Sequence, residues 1–379
     1  IAYNINLNTT STRRANAIAF DIREKGRIAR KNNKLTGEIL KDNNGKTIWK
    51  PGTLKHVKAI GWFIEEYGIS QISMNLTNIN ETPIHKVFDE VCEKAHKRGV
   101  RVTGSELVGL IPLKSMVDAG KHFLIKQQRS TGISEKEIIK IAIKSMGLNE
   151  ISLFEPNEKI IEYKIKSKDS KLVDLGLSGF LQETASESPA PGGGSISAYV
   201  GALGASLTTM VANLSSHKRG WDDRWEEFSD LAEQGQKFII KLEKLVDEDT
   251  NAFNMVLNAF RIKADTEDEK RQKEIEIQSA TLNAINIPLS IMENSYNLMN
   301  LIAKLVKKGN PNSVSDVGVA VLCARAAVLG GYLNVMINIK DLKDIKQKSS
   351  ITERAEELKL LSTETEKKIL KDVVKIINN

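Results

Sequence analysis

Apolar positions in the first 165 residues change period repeatedly, and each change marks an element. Strict alternation at Ala2–Leu7 predicts a strand, and three- to four-residue spacing from Ser11 to about Arg30 predicts a helix. Further strands are expected near His56–Phe63 and Ile69–Leu76, at Val100–Thr103 and at Ile160–Ile165. Helices are expected at Pro83–Arg98, with Thr82 or a neighbour as cap, at Pro112–Gln127 and at Ser134–Met146. Strands interleaved with amphipathic helices imply a sheet with helices packed on it. The polar stretch Asn32–Gly52, with turn chemistry in Asp42-Asn43-Asn44-Gly45, reads as a surface hairpin or loop insertion.

Between Lys164 and Lys171 no apolar period survives, and strand signals stop beyond it. The chain is therefore divided into a subdomain at 1–165, a linker at 166–176 and a second domain at 177–379. In the second domain a short helix runs to Glu187, a Pro/Gly loop covers Ser188–Gly194, and long helices follow. These are expected at Ser195–Ser216, Asp222–Ile262, Thr266–Lys308 and Ser313–Ile339, with a last helix near Ile351–Ile377. The expected fold is an α+β sheet-and-helix subdomain followed by an all-α up-and-down helical bundle. The uncharged run Ser195–Asn213 is long enough to raise the question of a membrane span, but its Gly, Ser, Thr and Asn content makes it weakly hydrophobic. A buried, closely packed helix is expected there, and no membrane.

Composition narrows the class rather than the function. With 41% hydrophobic and 27% charged residues in 379, the chain is globular and not disordered, collagenous or disulfide-stapled. Its net charge of +7 hides an asymmetry, +10 over residues 1–176 against −3 over 177–379. A solvated lysine-rich surface explains such an excess better than nucleic acid, which is not expected as a partner. Cys92 and Cys323 each fall in an apolar helical stretch and fit reduced thiols in a cytoplasmic protein. None of the five histidines pairs with Cys or a carboxylate at metal-ligand spacing, so no metal is expected. The sequence opens at Ile-Ala-Tyr without Met or a signal peptide, which reads as a fragment of a longer protein.

Three places could carry chemistry. The first is Ser188-Pro-Ala-Pro-Gly-Gly-Gly-Ser195, a glycine loop opening onto a Gly- and Ala-rich helix. Free N–H groups at a helix start attract phosphate or carboxylate, although the Gly-Lys-Ser/Thr of a Walker loop is lacking. Tight packing of Gly201, Gly204 and Ala205 against a neighbouring helix explains the same residues equally well.

The second is Asp247-Glu248-Asp249. Leu242, Leu245, Asp249, Ala252, Phe253, Val256 and Phe260 recur on one helical stripe, whereas Asp247 lies about 200° and Glu248 about 100° away around the helix. Asp249 alone is driven toward the apolar side, where a carboxyl has its pKa raised and suits general acid/base work. The competing reading is a buried Asp satisfied by Arg, Lys or a helix cap. The third is the helix begun by Asn310-Pro-Asn-Ser-Val-Ser-Asp316, with Ser313 or Ser315 as cap, in which Arg325 needs a partner and Asn334 and Asn338 share a face. Packing or a subunit interface is the expected use of Arg325.

The residues Ser188–Ser195, Met210-Val-Ala-Asn-Leu214, Asp247-Glu-Asp-Thr-Asn-Ala-Phe253, Ser315-Asp316 and Tyr332-Leu-Asn-Val335 with Asn338 resemble the formimidoyltetrahydrofolate cyclodeaminase domain. Ala59-Ile-Gly-Trp62, Gln71-Ile-Ser-Met-Asn75, Arg98-Gly-Val-Arg-Val and Gly104-Ser-Glu-Leu-Val-Gly-Leu-Ile-Pro112 are similar to the second half of glutamate formimidoyltransferase. Together they cover nearly the whole chain, in the order of the bifunctional family. The resemblance implies a folate enzyme of histidine degradation. The formimidoyl group passes from N-formimidoyl-L-glutamate to tetrahydrofolate, then cyclisation gives 5,10-methenyltetrahydrofolate and ammonia. It further implies Asp249 as the catalytic residue and a folate cleft bordered by Pro191, Gly192, Gly193, Gly194 and Ser195, with Asn213, Asp316, Asn334 and Asn338. In the transferase part it implies folate contacts from Asn75, Gly104, Ser105 and Glu106. By the same resemblance tetrahydrofolate, with or without a polyglutamate tail, enters as substrate and one-carbon carrier, and the helical domain is expected to form a homodimer or higher homo-oligomer. The family's transferase histidine belongs to a preceding subdomain, and none of the histidines here matches its motif. The alternatives are a methenyltetrahydrofolate cyclohydrolase and a non-catalytic folate-binding or assembly module.

Overall fold

Alternation in β1 (Ala2–Leu7) sends Tyr3, Ile5 and Leu7 into a core and Asn4 and Asn6 to the opposite face of the sheet. Ser11 caps α1 (Thr12–Ile22) by accepting from the Arg14 N–H, and the helix stops well short of Arg30. Gly26 then turns the chain in the left-handed region, at φ 66°, a conformation open to glycine. A small hairpin follows, β2 (Arg27–Ile28) pairing antiparallel with β3 (Trp49–Lys50), so the expected insertion is a hairpin where it is described. β4 (Val57–Ile64), β5 (Ile69–Leu76) and, after α2 (Ile84–His96), β6 (Val102–Val108) complete an antiparallel sheet in the order β4-β5-β1-β6.

The computed structural model describes residues 1–33, 37–165 and 171–378. Within the first unit, α1 and α2 cover one sheet face, where Ile18, Ala19, Ile22, Val87 and Val91 meet Tyr3, Ile5, Ile72 and Met74. Each such larger aliphatic side chain contributes roughly 1.5–3 kcal/mol on burial. α3 (Leu113–Lys126) and α4 (Glu135–Met146) pack on each other; Ser134 caps α4 through the Glu137 N–H, and Gly147 at φ 60° ends it.

Ile160–Ile165 is not a strand: α5 (Pro156–Lys159) and α6 (Ile161–Lys164) are single helical turns, and only Ile160 forms a β-bridge, to Ile111. Pro156 at the first helical position favours the helical turn over an extended entry. The strand expected at Val100–Thr103 is present but runs later, as β6.

The chain packs as two compact units, one comprising 1–127 with 134–167 and the other 128–133 with 168–379. Residues 166–170 of the expected linker lie outside the described residues. Beyond them Leu172–Asp174 forms a 3-10 turn whose Leu172 N–H donates to Asp247. The second unit is helical: α7 (Leu177–Thr184), α8 (Gly193–Ser216), α9 (Trp225–Arg261), α10 (Glu267–Lys308), α11 (Val314–Asn338) and α12 (Ile345–Ile377). α8 and α11 run antiparallel, since Gly193 lies beside Asn334 and Gly204 beside Ala320 and Cys323. α9 and α10 complete the up-and-down bundle, and α12 packs on α10 and α11. A reciprocal cap starts α10, with Thr266 accepting from the Glu269 N–H while Glu269 accepts from the Thr266 N–H. α12 starts six residues earlier than expected because Asp344 caps it.

Candidate active site

The glycine loop ends where Gly192 becomes the cap residue of α8 and Gly193 its first helical residue. First-turn N–H groups of a helix lack intrahelical partners and carry partial positive charge. Asp249, on α9, is brought to this helix start. The Ser195 hydroxyl donates to Asp249 Oδ2 at 3.0 Å, and the Ser195 N–H also donates to that carboxylate. The same hydroxyl lies 3.0 Å from the Val246 carbonyl and 3.2 Å from Thr250 Oγ1. Gly194 is required by this approach, because a Cβ there would overlap the Asp249 carboxylate.

Burial pushes the Asp249 carboxyl above the usual carboxylate range, against the two Ser195 hydrogen bonds that favour its charged form. The competing reading of the sequence is thereby realised in part, since Asp249 does satisfy a helix start. The residue nonetheless remains half-buried beside the glycine loop rather than sealed in the core. Asp247 and Glu248 are spent elsewhere, on the Leu172 N–H and on Lys244, as their angular positions require. The apolar stripe of α9 is buried at Leu242, Leu245 and Ala252, but Phe253 and Phe260 are exposed past Asp249.

α11 forms the other wall. Asn334 places its side-chain nitrogen 3.2 Å from the Cβ position of Gly193, and it donates to the Gly330 carbonyl at 2.8 Å. Gly330 admits Ser197, whose hydroxyl would overlap any Cβ there. The Pro191–Ser195 loop, Asp249 and Asn334 thus form one cluster, to which the structure adds Thr250 and Ser197. Thr250 lies next to Asp249 in the acidic motif, but no periodicity singles it out.

Other expected residues fall outside this cluster. Asn213 is 18 positions beyond Ser195 on α8, and Asp316 is 18 before Asn334 on α11, each about 27 Å along its helix at 1.5 Å per residue. Within one chain they are at the far end of the bundle. Asn213 there accepts from the Ser130 hydroxyl at 2.6 Å and donates to the Gly132 carbonyl at 2.9 Å, holding the segment 128–133. Asn338 donates to the Ala284 carbonyl at 2.8 Å and ties α11 to α10. Arg325 meets Thr363 at 2.7 Å and Glu366 at 3.5 Å on α12, a packing role.

In the first unit, Asn75, Gly104 and Glu106 share the sheet face opposite α1 and α2, in cross-strand rows with Lys58, Asn6 and Asn4, and Gly104 is buried there against Gly147 and Glu150. Glu106 accepts from Asn4 and Gln71, and Asn6 donates to Glu150 at 2.6 Å. Ser105 is a correction: strand alternation turns it to the core face, where its hydroxyl donates to the Met146 carbonyl at 2.6 Å.

A family model described as a formiminotransferase domain matches residues 2–166, and one described as formiminotransferase-cyclodeaminase matches residues 176–357. The formimidoyltransferase-cyclodeaminase of Gallus gallus is 35% identical over 355 residues, covering 93% of this chain and 62% of that protein. The chain belongs to the formiminotransferase-cyclodeaminase family. A Dictyostelium discoideum formimidoyltransferase-cyclodeaminase is 35% identical over 98% of this chain and 65% of its own length, so the chain spans somewhat less than two thirds of these relatives. The methenyltetrahydrofolate cyclohydrolase of Methylorubrum extorquens is 34% identical, over 49% of this chain and 88% of that one. A solved formiminotetrahydrofolate cyclodeaminase from Thermotoga maritima matches 54% of this chain and 98% of its own, at 28% identity and a TM-score of 0.49.

Proposed function

We propose that the helical unit converts 5-formimidoyltetrahydrofolate to 5,10-methenyltetrahydrofolate and ammonia, with Asp249 as the proton-transfer residue. The carrying observation is a half-buried carboxyl of raised pKa, held by Ser195 at the glycine loop. Ring closure forms the bond from N10 to the carbon of the protonated formimidoyl group and breaks the bond from that carbon to the departing nitrogen. The proton lost by N10 is the one that nitrogen needs to leave as ammonia. A carboxyl whose pKa burial raises above the usual carboxylate range is a better proton acceptor, and can accept this proton and then deliver it. The first-turn N–H groups of α8 and the Asn334 amide suit a carboxylate or carbonyl of the bound substrate.

The polar sheet face of the first unit, with Asn75 and Glu106, supports a folate-facing role in formimidoyl transfer to tetrahydrofolate by the intact protein, while Gly104 on the same face is covered by Gly147 and Glu150. Free, half-buried Cys92 and Cys323 support a cytoplasmic, reducing location.

We further propose that the helical unit self-associates. Leu203, Met210 and Leu214 on α8 and Leu322, Leu333 and Ile337 on α11 are exposed on adjacent helices. These two helices are also long and apolar enough to cross a membrane by length and composition. A second copy of this bundle covers such a face in water, because the residues recur at spacings that return to one side of each helix.

The Methylorubrum relative favours cyclohydrolase as the alternative. Supplying 5-formimidoyl- and 5,10-methenyltetrahydrofolate separately to the chain separates them. Ammonia release from the first, faster than ring opening of the second, is expected; ring opening alone would reject the cyclodeaminase reading.

A further inference from the structure

In the first unit, residues at and beyond the ends of α1 and α2 line a cavity of about 710 Å3, a volume usual for small-ligand sites. The β2–β3 hairpin supplies one wall and the last turn of α2 the other. Arg23, Arg27, Arg30, Lys50 and Arg98 converge on it, while Asp21 is the only acidic residue among the described residues of its lining. Both Asp21 oxygens are already taken, one by Arg27 and the other by Arg98. Lys94 and Lys97, also in the lining, are neutralised along α2 by Glu90 and Glu93.

The remaining positive charge is therefore not balanced from within the cavity. Among the described residues buried Arg98 Nε has no hydrogen-bond partner, and burial together with Arg27 pulls the Arg23 pKa down. Like charges in a partly desolvated cavity repel, and a multiply charged anion relieves that repulsion.

The side chains also favour one anion chemistry. Arg23 is fixed by the Gly26 carbonyl at 2.8 Å and by stacking 4.0 Å over Phe20, and Arg27 by the Ala17 carbonyl at 2.8 Å. Guanidinium forks held in place from different elements suit the three-directional oxygens of phosphoryl groups better than one planar carboxylate. We propose that this cavity is a binding site for a compact anion carrying two or more phosphoryl groups. Its source is either free polyphosphate or the phosphate tail of a nucleotide, for which Trp49 in the lining offers an apolar ring surface.

The site is independent of the folate reading, because α1 and α2 cover the sheet face opposite to Asn75, Gly104 and Glu106. The sequence alone conceals it: the basic residues are scattered from Arg23 to Arg98, and only the fold brings them to one cavity.

Calorimetric titration of the whole chain at about 0.15 M salt, where surface charges are well screened, tests the proposal with tripolyphosphate, ATP and tri-γ-glutamate as probes. Tripolyphosphate is expected to bind one to one, at least tenfold more weakly after Lys50→Glu or Arg98→Gln and unchanged after Lys371→Glu on the helical unit. Lys50 is exposed on a two-residue strand, so its replacement leaves the fold intact even if loss of the Arg98–Asp21 pair does not. Tighter binding of ATP assigns the nucleotide source, and equal or weaker binding assigns bare polyphosphate. Absence of saturable binding, affinity unchanged by Lys50→Glu, equal weakening by Lys371→Glu, or tighter binding of tri-γ-glutamate overturns the proposal.

Discussion

Asp249 sits under two opposed influences, burial that disfavours its charge and Ser195 hydrogen bonds that favour it, with burial the larger. A carboxyl whose folded pKa exceeds its unfolded value holds more protons folded than unfolded between the two, so its contribution to stability falls as pH rises through that window. Asp249→Asn, which keeps an acceptor for Ser195, is expected to raise the unfolding midpoint at pH 7. The gain should shrink as pH falls through the raised folded pKa toward the ordinary Asp value of about 4. Denaturation of both proteins from neutral to acid pH checks this; a gain that grows toward acid pH would refute it. Gly194→Ala forces a methyl group into the Asp249 carboxylate and is expected to lower cyclodeamination at least about tenfold, at a stability cost of roughly 1–3 kcal/mol. At this scale the sequence is informative about Asp249 because a helical stripe turns one carboxyl of three inward. Alternation along β6 also separates Ser105 from Gly104 and Glu106 in the sequence, whereas the hydrogen bonds of Asn213 to the 128–133 segment have no local signal.

Among the elements, those with long, clean periods are legible: β1 and β5 match the expected spans residue for residue, and α8 to α11 agree within a few residues. Differences cluster at short-range stop and start signals. Gly26 and the two-residue hairpin strands curtail α1, Pro156 turns an apolar run into helical turns, and Asp344 begins α12 early. The α8–α11 pair combines a tight inner contact at Gly330 with an apolar outer face. Gly330→Val is expected to separate the helices at Ser197 and lower the unfolding free energy by roughly 1–3 kcal/mol in a urea titration. Leu203→Glu with Leu333→Glu, both at exposed positions, is expected to convert an associated species to monomer in sedimentation velocity while preserving helicity. A monomeric parent protein would remove the proposed role of this face.

On the scale of the whole molecule, each unit has its own core, one around the sheet and the other between the bundle helices. The chemistry proposed for ammonia release uses residues of the second unit alone. Ile72→Ala, at a fully buried sheet position, is expected to destabilise the first unit by about 2–5 kcal/mol. Below its melting temperature it should leave the cyclisation of preformed 5-formimidoyltetrahydrofolate unchanged, as read by product absorbance. The central claim is tested most directly by the rate of ammonia release from 5-formimidoyltetrahydrofolate in Asp249→Asn, with circular dichroism confirming the helical fold. Loss of at least about a hundredfold is predicted for removal of a general acid/base. A folded variant that releases ammonia at the parent rate would contradict the account.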